Sequence, residues 1–281
     1  LYAQTGDERY KIAMDTLRKQ MAEQPRTSEG GFWHKLRYPH QMWLDGIFMA
    51  SPYLVQYGAT FNEPALFDEA TKQILLINSK TYDPATGLFY HGWDESREQK
   101  WSNPETGCSP NFWSRSIGWY GAAIVDVLDF LPQETAGRDS IIQILQGLAK
   151  AIVKYQDPSS GTWYQVTDQG AREGNYLESS ATALFIYTLA KAINKGYIGN
   201  EYIEPTQKAF DGMVKTFTRL EEDGSYTITN CCAVAGLGGD SKRYRDGSFE
   251  YYISEPIIEN DPKSVGSFIL AAIEYEKMTK K

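Results

Sequence analysis

A turn segment that contains glycine and aromatic residues recurs four times along the 281-residue chain. Each copy combines an Asp or Glu, a glycine and at least one aromatic residue, and it lies between two stretches with helical periodicity. The copies are marked by Gly31, Gly87, Gly161 and Gly224, which are roughly 56 to 74 positions apart. This interval fits a pair of helices plus a long loop, so the sequence predicts an array of αα units.

Eight helices are predicted from the apolar periodicity and from the prolines near the helix edges. They span residues 7–23, 40–57, 64–79, 114–131, 136–155, 177–195, 201–218 and 262–279. The helices that follow the aromatic turns are rich in small and apolar residues, so we expect them to be buried. The alternate helices carry charge on one face and should lie outside. Gly6 and Asp7 predict the stop of one helix and the cap of the next.

Two architectures suit such an array: an open solenoid, or a ring of inner and outer helices. The units are longer than ordinary solenoid repeats, and their polar-aromatic loops all fall at the same end of the inner helices. We therefore expect an all-α fold, a closed or nearly closed α/α toroid, with residues 1–281 as a single catalytic domain. A full ring of six hairpins has more helices than the eight predicted, so part of the ring is absent or some helices escape detection.

Three tryptophan-framed segments, residues 38–46, 90–96 and 112–119, place aromatic side chains beside a charge or an imidazole. An indole face next to a positioned carboxylate or guanidinium is a common way to hold a sugar. The chain has 14% aromatic residues, including seven Trp. The alternative is that these residues simply fill a large helical core, but three such segments favour a carbohydrate enzyme.

The charge and cysteine content exclude several other classes. A net charge of −8 leaves no basic stripe for nucleic acid, and no apolar run is long enough to span a membrane. Cys108, Cys231 and Cys232 suit neither a disulfide framework nor a zinc site, so reduced thiols in a cytoplasmic protein are the simplest interpretation. The sequence has no phosphate loop, metal-binding His pair or Rossmann fingerprint. We expect acid–base chemistry without a metal or a cofactor.

The acid candidate is Asp45, which follows Trp43 at the start of an apolar helix. An acid in the first turn of a helix is commonly a cap or a dipole partner. The functional alternative is a carboxylate on the floor of a cleft, where an apolar wall raises its pKa and lets it deliver a proton near neutral pH. His91 lies in the densest polar-aromatic loop and is a second candidate. Asp94 and Glu95 are better explained as turn and cap residues.

The binding candidate is Arg115, which lies between Trp113 and Trp119. A guanidinium grips a planar carboxylate with two hydrogen bonds, which would suit an acidic sugar. The alternative is a buried structural arginine.

Five segments in order along the chain, residues 34–46, 91–96, 112–119, 172–178 and 244–252, resemble motifs of glycoside hydrolase family 105, the unsaturated rhamnogalacturonyl hydrolases. The resemblance implies an (α/α)6 barrel that removes the Δ4,5-unsaturated galacturonyl group left by pectin lyases at the non-reducing end of oligosaccharides. It also implies a catalytic acid and a set of residues that line the uronate subsite. By motif, the acid is Asp45 and the lining residues are Trp43, His91, Trp113, Arg115 and Trp119.

The implied mechanism differs from glycoside hydrolysis by two flanking carboxylates. By this resemblance, Asp45 protonates C4 of the vinyl ether, water adds at C5, and the resulting hemiketal opens and expels the rest of the sugar. The family has a further important Asp upstream of the Trp-Leu-Asp motif, so we expect this sequence to lack the family's N-terminal segment. Two alternatives stay open: an unsaturated glucuronyl hydrolase acting on glycosaminoglycan fragments, and an inactive sugar-binding α/α protein.

Overall fold

The computed structural model describes residues 1–239 and 244–280. Ten α-helices lie within these ranges: α1 (Tyr2–Thr5), α2 (Glu8–Glu23), α3 (Leu44–Phe61), α4 (Ala65–Thr81), α5 (Ser114–Val127), α6 (Arg138–Lys154), α7 (Ser179–Lys195), α8 (Ile203–Phe217), α9 (Phe249–Ile253) and α10 (Pro262–Thr279). The eight long helices correspond to the eight predicted ones, and a 3-10 turn at Asn200–Tyr202 precedes α8. Across residues 1–239 and 244–280, no helix is both long and apolar enough to cross a bilayer.

The long helices form an inner and an outer row. The inner row is α3, α5, α7 and α10, each packed on the next, while α2, α4, α6 and α8 pack on its outer side. Nearly every residue of α5 and α7 is buried, whereas α2 has no buried residue. The predicted alternation of buried and outer helices is therefore confirmed, and it follows from the small side chains of the inner helices.

The helix ends agree with their sequence signals. Gly6 ends α1 in the left-handed region at φ 67°, and the side chain of Asp7 accepts a hydrogen bond from the backbone N–H of Arg9 to begin α2. In the same way, the Asp261 side chain caps α10 by accepting from the N–H of Lys263. Such caps satisfy backbone donors that have no partner inside the helix.

Six short strands form three antiparallel pairs: β1 (Gln41–Trp43) with β2 (Gly92–Asp94), β3 (Thr218–Leu220) with β4 (Tyr226–Ile228), and β5 (Cys231–Cys232) with β6 (Ile257–Ile258). The first pair corrects the helix predicted to begin at residue 40. His40 has φ 62° and the next three residues are extended, because they pair with β2. Helix α3 therefore begins at Leu44.

Helices α5 and α7 approach closely where α5 has glycine. A Cβ added to Gly118 would lie 2.7 Å from the Cβ of Leu184, and one added to Gly121 would lie 2.8 Å from Oγ1 of Thr188. Real side chains essentially never make such short contacts, so the spacing of the inner row depends on these two glycines.

We expect Gly118→Ala to lower the free energy of unfolding by about 1–3 kcal/mol through overpacking. The matched control is Gly147→Ala in α6, where an added Cβ meets no atom within 4 Å. The control should raise stability by about 0.5–1 kcal/mol, since alanine is the better helix former. Urea unfolding of both variants checks this, and a gain in stability for both would show that α5 and α7 have room to spare.

Candidate active site

The pairing of β1 with β2 brings the first two tryptophan-framed segments together. Trp43 lies opposite Gly92 in the register, and the backbone N–H of Leu44 donates to the carbonyl of His91 at 3.1 Å. A Cβ at Gly92 would lie 2.9 Å from Cδ1 of Trp43 and 2.8 Å from Cδ1 of Leu237. The absence of a side chain at residue 92 therefore allows the two segments to meet.

The side chains of Asp45, His91 and Tyr252 lie in a row where the first two tryptophan-framed segments meet. Oδ2 of Asp45, in the first turn of α3, is 3.1 Å from Nε2 of His91. Nδ1 of the same ring is 2.7 Å from the hydroxyl of Tyr252 in α9. His91 and Tyr252 are fully buried, while the side chain of Asp45 is 15% exposed. Asp45 is thus the member of the row that solvent or a ligand can reach.

Aromatic rings surround this row on both sides. The indole of Trp43 stacks on the ring of His34 with centroids 4.1 Å apart and on Tyr38 at 4.9 Å. On the far side of His91, the ring of Trp113 lies at 4.7 Å from the imidazole. Such stacked rings exclude water and strengthen the electrostatic interactions between the polar groups that they enclose.

The pKa of Asp45 is below its ordinary value of 3.8. Burial acts to raise it, but the nearby imidazole of His91, and after it that of His34, more than offset the burial. The prediction of a raised pKa was therefore wrong, because the wall that faces Asp45 carries imidazoles. At neutral pH the group is a carboxylate paired with His91.

His34 is a second imidazole of the site. Burial lowers the pKa of His34 to about 4 from an ordinary value of 6.5, so the ring is neutral near pH 7. Nδ1 of His34 is buried and has no hydrogen-bond partner among the described residues. The ring lines a cavity of about 140 Å³ together with Trp33, Trp43 and Gly46. Residues of α2 and α3 complete its lining, and Gly46 is the residue that follows Asp45.

Arg115 does not face this cavity. Its side chain is 1% exposed, Nε donates to Oγ of Ser180 at 2.7 Å, and Nη2 donates to Oε1 of Glu178 at 3.2 Å. Nη2 also donates to the carbonyl of Cys232. In the structure, the carboxylate that Arg115 contacts is that of Glu178, and the clamp on a substrate carboxylate stays a prediction beside the structural alternative.

The tryptophans of the third segment are buried as well. Trp119 is 9% exposed and packs on Phe48 with centroids 4.5 Å apart, inside the core between α3 and α5. Trp113 is 2% exposed, and Nε1 of its indole donates to Gln165. All three, Trp113, Trp119 and His91, are buried, and their expected role in lining the uronate subsite stays a prediction. Trp119 is a core residue. Trp113 is a buried neighbour of His91, which in turn contacts Asp45.

The turn and cap roles expected for Asp94 and Glu95 are confirmed. The carboxylate of Asp94 is fully buried and accepts from the N–H groups of Ser96 and Gln99. The carboxylate of Glu95 accepts from the backbone N–H of Ser28 at 2.8 Å. Both groups therefore stabilise loops.

The sequence interpretation missed three functional positions. Tyr252, Glu178 and His34 lie in the motif segments 244–252, 172–178 and 34–46, but the sequence predicts none of the contacts that they make here. A buried polar residue gives no sign in sequence of the partner it meets. The motif match at residues 172–178 and 244–252 was the available signal.

No group of three or more His, Cys, Asp or Glu side chains within residues 1–239 and 244–280 is arranged to bind a metal. The three cysteines are buried there as free thiols.

With this geometry in view, comparison with known proteins is informative. The model of Glycosyl Hydrolase Family 88 matches residues 1–279. The chain belongs to this family of glycoside hydrolases. The solved structure of a family 105 glycoside hydrolase from C. acetobutylicum ATCC 824 is 45% identical and superposes with a TM-score of 0.95, over 98% of this chain and 76% of that one. The resemblance to family 105 is thereby confirmed.

Two relatives known by sequence extend the comparison. Protein Atu3128 of Agrobacterium fabrum is 37% identical over 230 residues, which is 80% of this chain and 97% of that protein. The unsaturated rhamnogalacturonyl hydrolase YesR of Bacillus subtilis is 26% identical over 230 residues, 80% of this chain and 61% of YesR. The helical structure and these similarities confirm the predicted all-α, six-hairpin toroid class for the hydrolase.

We expect Arg115→Met to destabilise the hydrolase by about 3–5 kcal/mol, because it leaves the Glu178 carboxylate buried without its cation. Adding Glu178→Gln, which removes the stranded charge and keeps an acceptor, should recover part of this loss. Urea unfolding of the single and double variants checks both expectations. A single variant with unchanged stability and a selective loss of uronate binding would favour the clamp role.

The lowered pKa of His34 predicts an acid-sensitive contribution to stability. Because the unfolded chain binds this proton more readily than the folded one, the contribution is complete above pH 6.5 and is lost as the pH falls towards about 4. It amounts to roughly 3 kcal/mol. His34→Phe keeps a ring for Trp43 to stack on and cannot titrate, so the variant should lose less stability than the parent between pH 7 and pH 4. The measurement is the melting temperature of both proteins at each pH across this range. An equal loss of melting temperature in the two proteins would contradict the expectation.

Proposed function

We propose that this hydrolase removes a Δ4,5-unsaturated galacturonyl residue from the non-reducing end of rhamnogalacturonan oligosaccharides by hydration of the vinyl ether. The observation that carries the proposal is the Asp45–His91 pair: a reachable carboxylate whose nearest ionisable neighbours are the imidazoles of His91 and His34. Ordinary glycosidases act with two carboxylates that flank the glycosidic bond. The position of Asp45 suits a reaction in which the same group donates a proton and then accepts one.

Each step of the proposed reaction uses Asp45. Its carboxylic acid form transfers a proton to C4, and the positive charge that develops is shared between C5 and the ring oxygen. The carboxylate then takes a proton from water as the water oxygen bonds to C5. The product is a hemiketal, which opens to a ketone with release of the aglycone hydroxyl. Asp45 ends in its starting acid form, so the cycle is balanced.

The sugar specificity is supported by the named relative. YesR is an unsaturated rhamnogalacturonyl hydrolase, and the motif match to family 105 covers the Asp45 segment and the His91 segment. We assign the activity to residues 1–281 as one catalytic domain, because α3, α5, α7 and α10 pack in one continuous row.

The substrate test compares two unsaturated disaccharides, one from rhamnogalacturonan and one from chondroitin. We expect turnover of the rhamnogalacturonan substrate, followed as loss of the ultraviolet absorbance of the conjugated double bond. Turnover of the chondroitin substrate alone would assign the hydrolase to glycosaminoglycan fragments. Binding of either sugar without turnover would indicate a sugar-binding protein.

We expect Asp45→Asn to lower turnover at least about 100-fold, since a general acid–base group contributes on that scale, with little change in melting temperature. The control is Asp68→Asn, which removes another acidic side chain from the first turn of a helix, α4, at an exposed position. If Asp45 only complemented the helix dipole, the two variants would behave alike. Retained turnover in Asp45→Asn would exclude it as the proton donor.

A further inference from the structure

Tyr252 contacts the catalytic pair from a distant part of the chain. It lies 161 positions after His91 and is fully buried, and its hydroxyl is 2.7 Å from Nδ1 of the imidazole. The second nitrogen of the same ring is the one that faces Asp45, at 3.1 Å. A group bonded to one imidazole nitrogen decides which tautomer the ring adopts, and thus what the other nitrogen presents.

The hydroxyl of Tyr252 is a hydrogen-bond donor. Burial raises the pKa of Tyr252 well above its ordinary value of 10, so the hydroxyl stays protonated. A buried O–H needs an acceptor, and the hydrogen-bond partner that the described structure gives this hydroxyl is Nδ1 of His91. Donation to Nδ1 leaves that nitrogen without a proton. A neutral imidazole then carries its proton on Nε2, the nitrogen that lies 3.1 Å from Oδ2 of Asp45.

The position of the phenol is itself well defined. Its ring is stacked parallel to that of Trp113, with centroids 6.0 Å apart and planes inclined by 13°. The backbone carbonyl of Tyr252 accepts from Nε2 of Gln165, and the same Gln165 side chain accepts from the Trp113 indole. The side chain of Ser248 caps α9 through the N–H of Tyr251. The hydroxyl is therefore held where it meets the imidazole.

We propose that Tyr252 is a positioning residue of the hydrolase, whose hydroxyl fixes His91 as the Nε2–H tautomer so that the imidazole donates to Asp45 Oδ2. Oδ1 of Asp45 then remains available to the substrate. His91 donates a hydrogen bond to the carboxylate and does not take up the proton that Asp45 transfers. The tautomer assignment stands on the geometry alone, while its kinetic consequence rests on the proposed function.

Other ionisable groups also face this row. Around Tyr252 they are Tyr251, Asp45, Asp246 and Cys232, and around Asp45 they are His91 and His34. Tyr251 provides a control because it is also a buried tyrosine of α9, yet its hydroxyl accepts from the backbone N–H of Gly236 at 3.0 Å. Tyr251→Phe removes a buried hydroxyl that does not contact the imidazole of His91.

The experiment measures the tautomer directly. The chain has three histidines, so ¹⁵N-histidine labelling gives a simple NMR spectrum in which the His91 signals are those lost in His91→Gln. We expect the unaltered protein at neutral pH to show His91 with its proton on Nε2. Tyr252→Phe should convert it to a mixture of tautomers, and Tyr251→Phe should leave it unchanged. An Nδ1–H tautomer in the unaltered protein would overturn the proposal without reference to any variant.

Kinetics provides the second readout. On the unsaturated disaccharide, we expect Tyr252→Phe to lower kcat about tenfold with little change in KM, because a lost hydrogen bond to the imidazole affects proton transfer more than binding. Tyr251→Phe should keep the kcat of the parent. Unchanged kcat for a folded Tyr252→Phe would also overturn the proposal. If the parent chain turns over no substrate but the NMR results are as expected, the proposed function fails and the tautomer assignment stands.

Discussion

The contact between the Asp45 carboxylate and the His91 imidazole is the interaction on which the site depends. A buried carboxylate is costly unless charge or hydrogen bonding compensates for its lost hydration. Here the compensation comes from a residue 46 positions later, and it is available only because β1 and β2 pair in the register that sets Trp43 against Gly92. Three residues of extended backbone thus decide where α3 begins and what its first acid faces.

The same physical rule explains the Arg115–Glu178 pair on the neighbouring side of Trp113. Both side chains are almost completely buried, and their remaining hydrogen-bonding capacity goes to Ser180 and to the backbone of Cys232. A paired charge of this kind is tolerated in a core when hydrogen bonds accompany it, as they do here at Nε and Nη2 of Arg115. The ion pair connects α5, α7 and β5 beneath the rings of Trp113 and His91. It therefore holds Trp113 in position, and Trp113 in turn positions His91.

Sequence patterns predicted the helices far better than they predicted the partners of polar residues. Small residues in α5 and α7 and the caps at Asp7 and Asp261 are local signals, since they depend on neighbours within a few positions. The candidate acid, Asp45, could also be named from the sequence, because an Asp in the first turn of a helix beside an indole is a local signal. The partner of Arg115 lies 63 residues away and that of His91 lies 161 residues away. No spacing rule relates such positions, so the sequence could not show that Arg115 contacts the carboxylate of Glu178.

Two opposing effects act on the pKa of Asp45, and their balance bears on how one carboxylate can serve as both acid and base. Apolar surroundings alone would hold it protonated and make it a poor base for water, whereas an ion pair alone would hold it ionised and make it a poor acid. In this site, burial opposes the two imidazoles, and the balance favours the carboxylate. A substrate that carries its own carboxylate would bring a negative charge towards Asp45 and displace water, and both changes favour the protonated form. The anionic sugar would therefore help to generate the acid that protonates it, whereas a neutral sugar would contribute only the displacement of water.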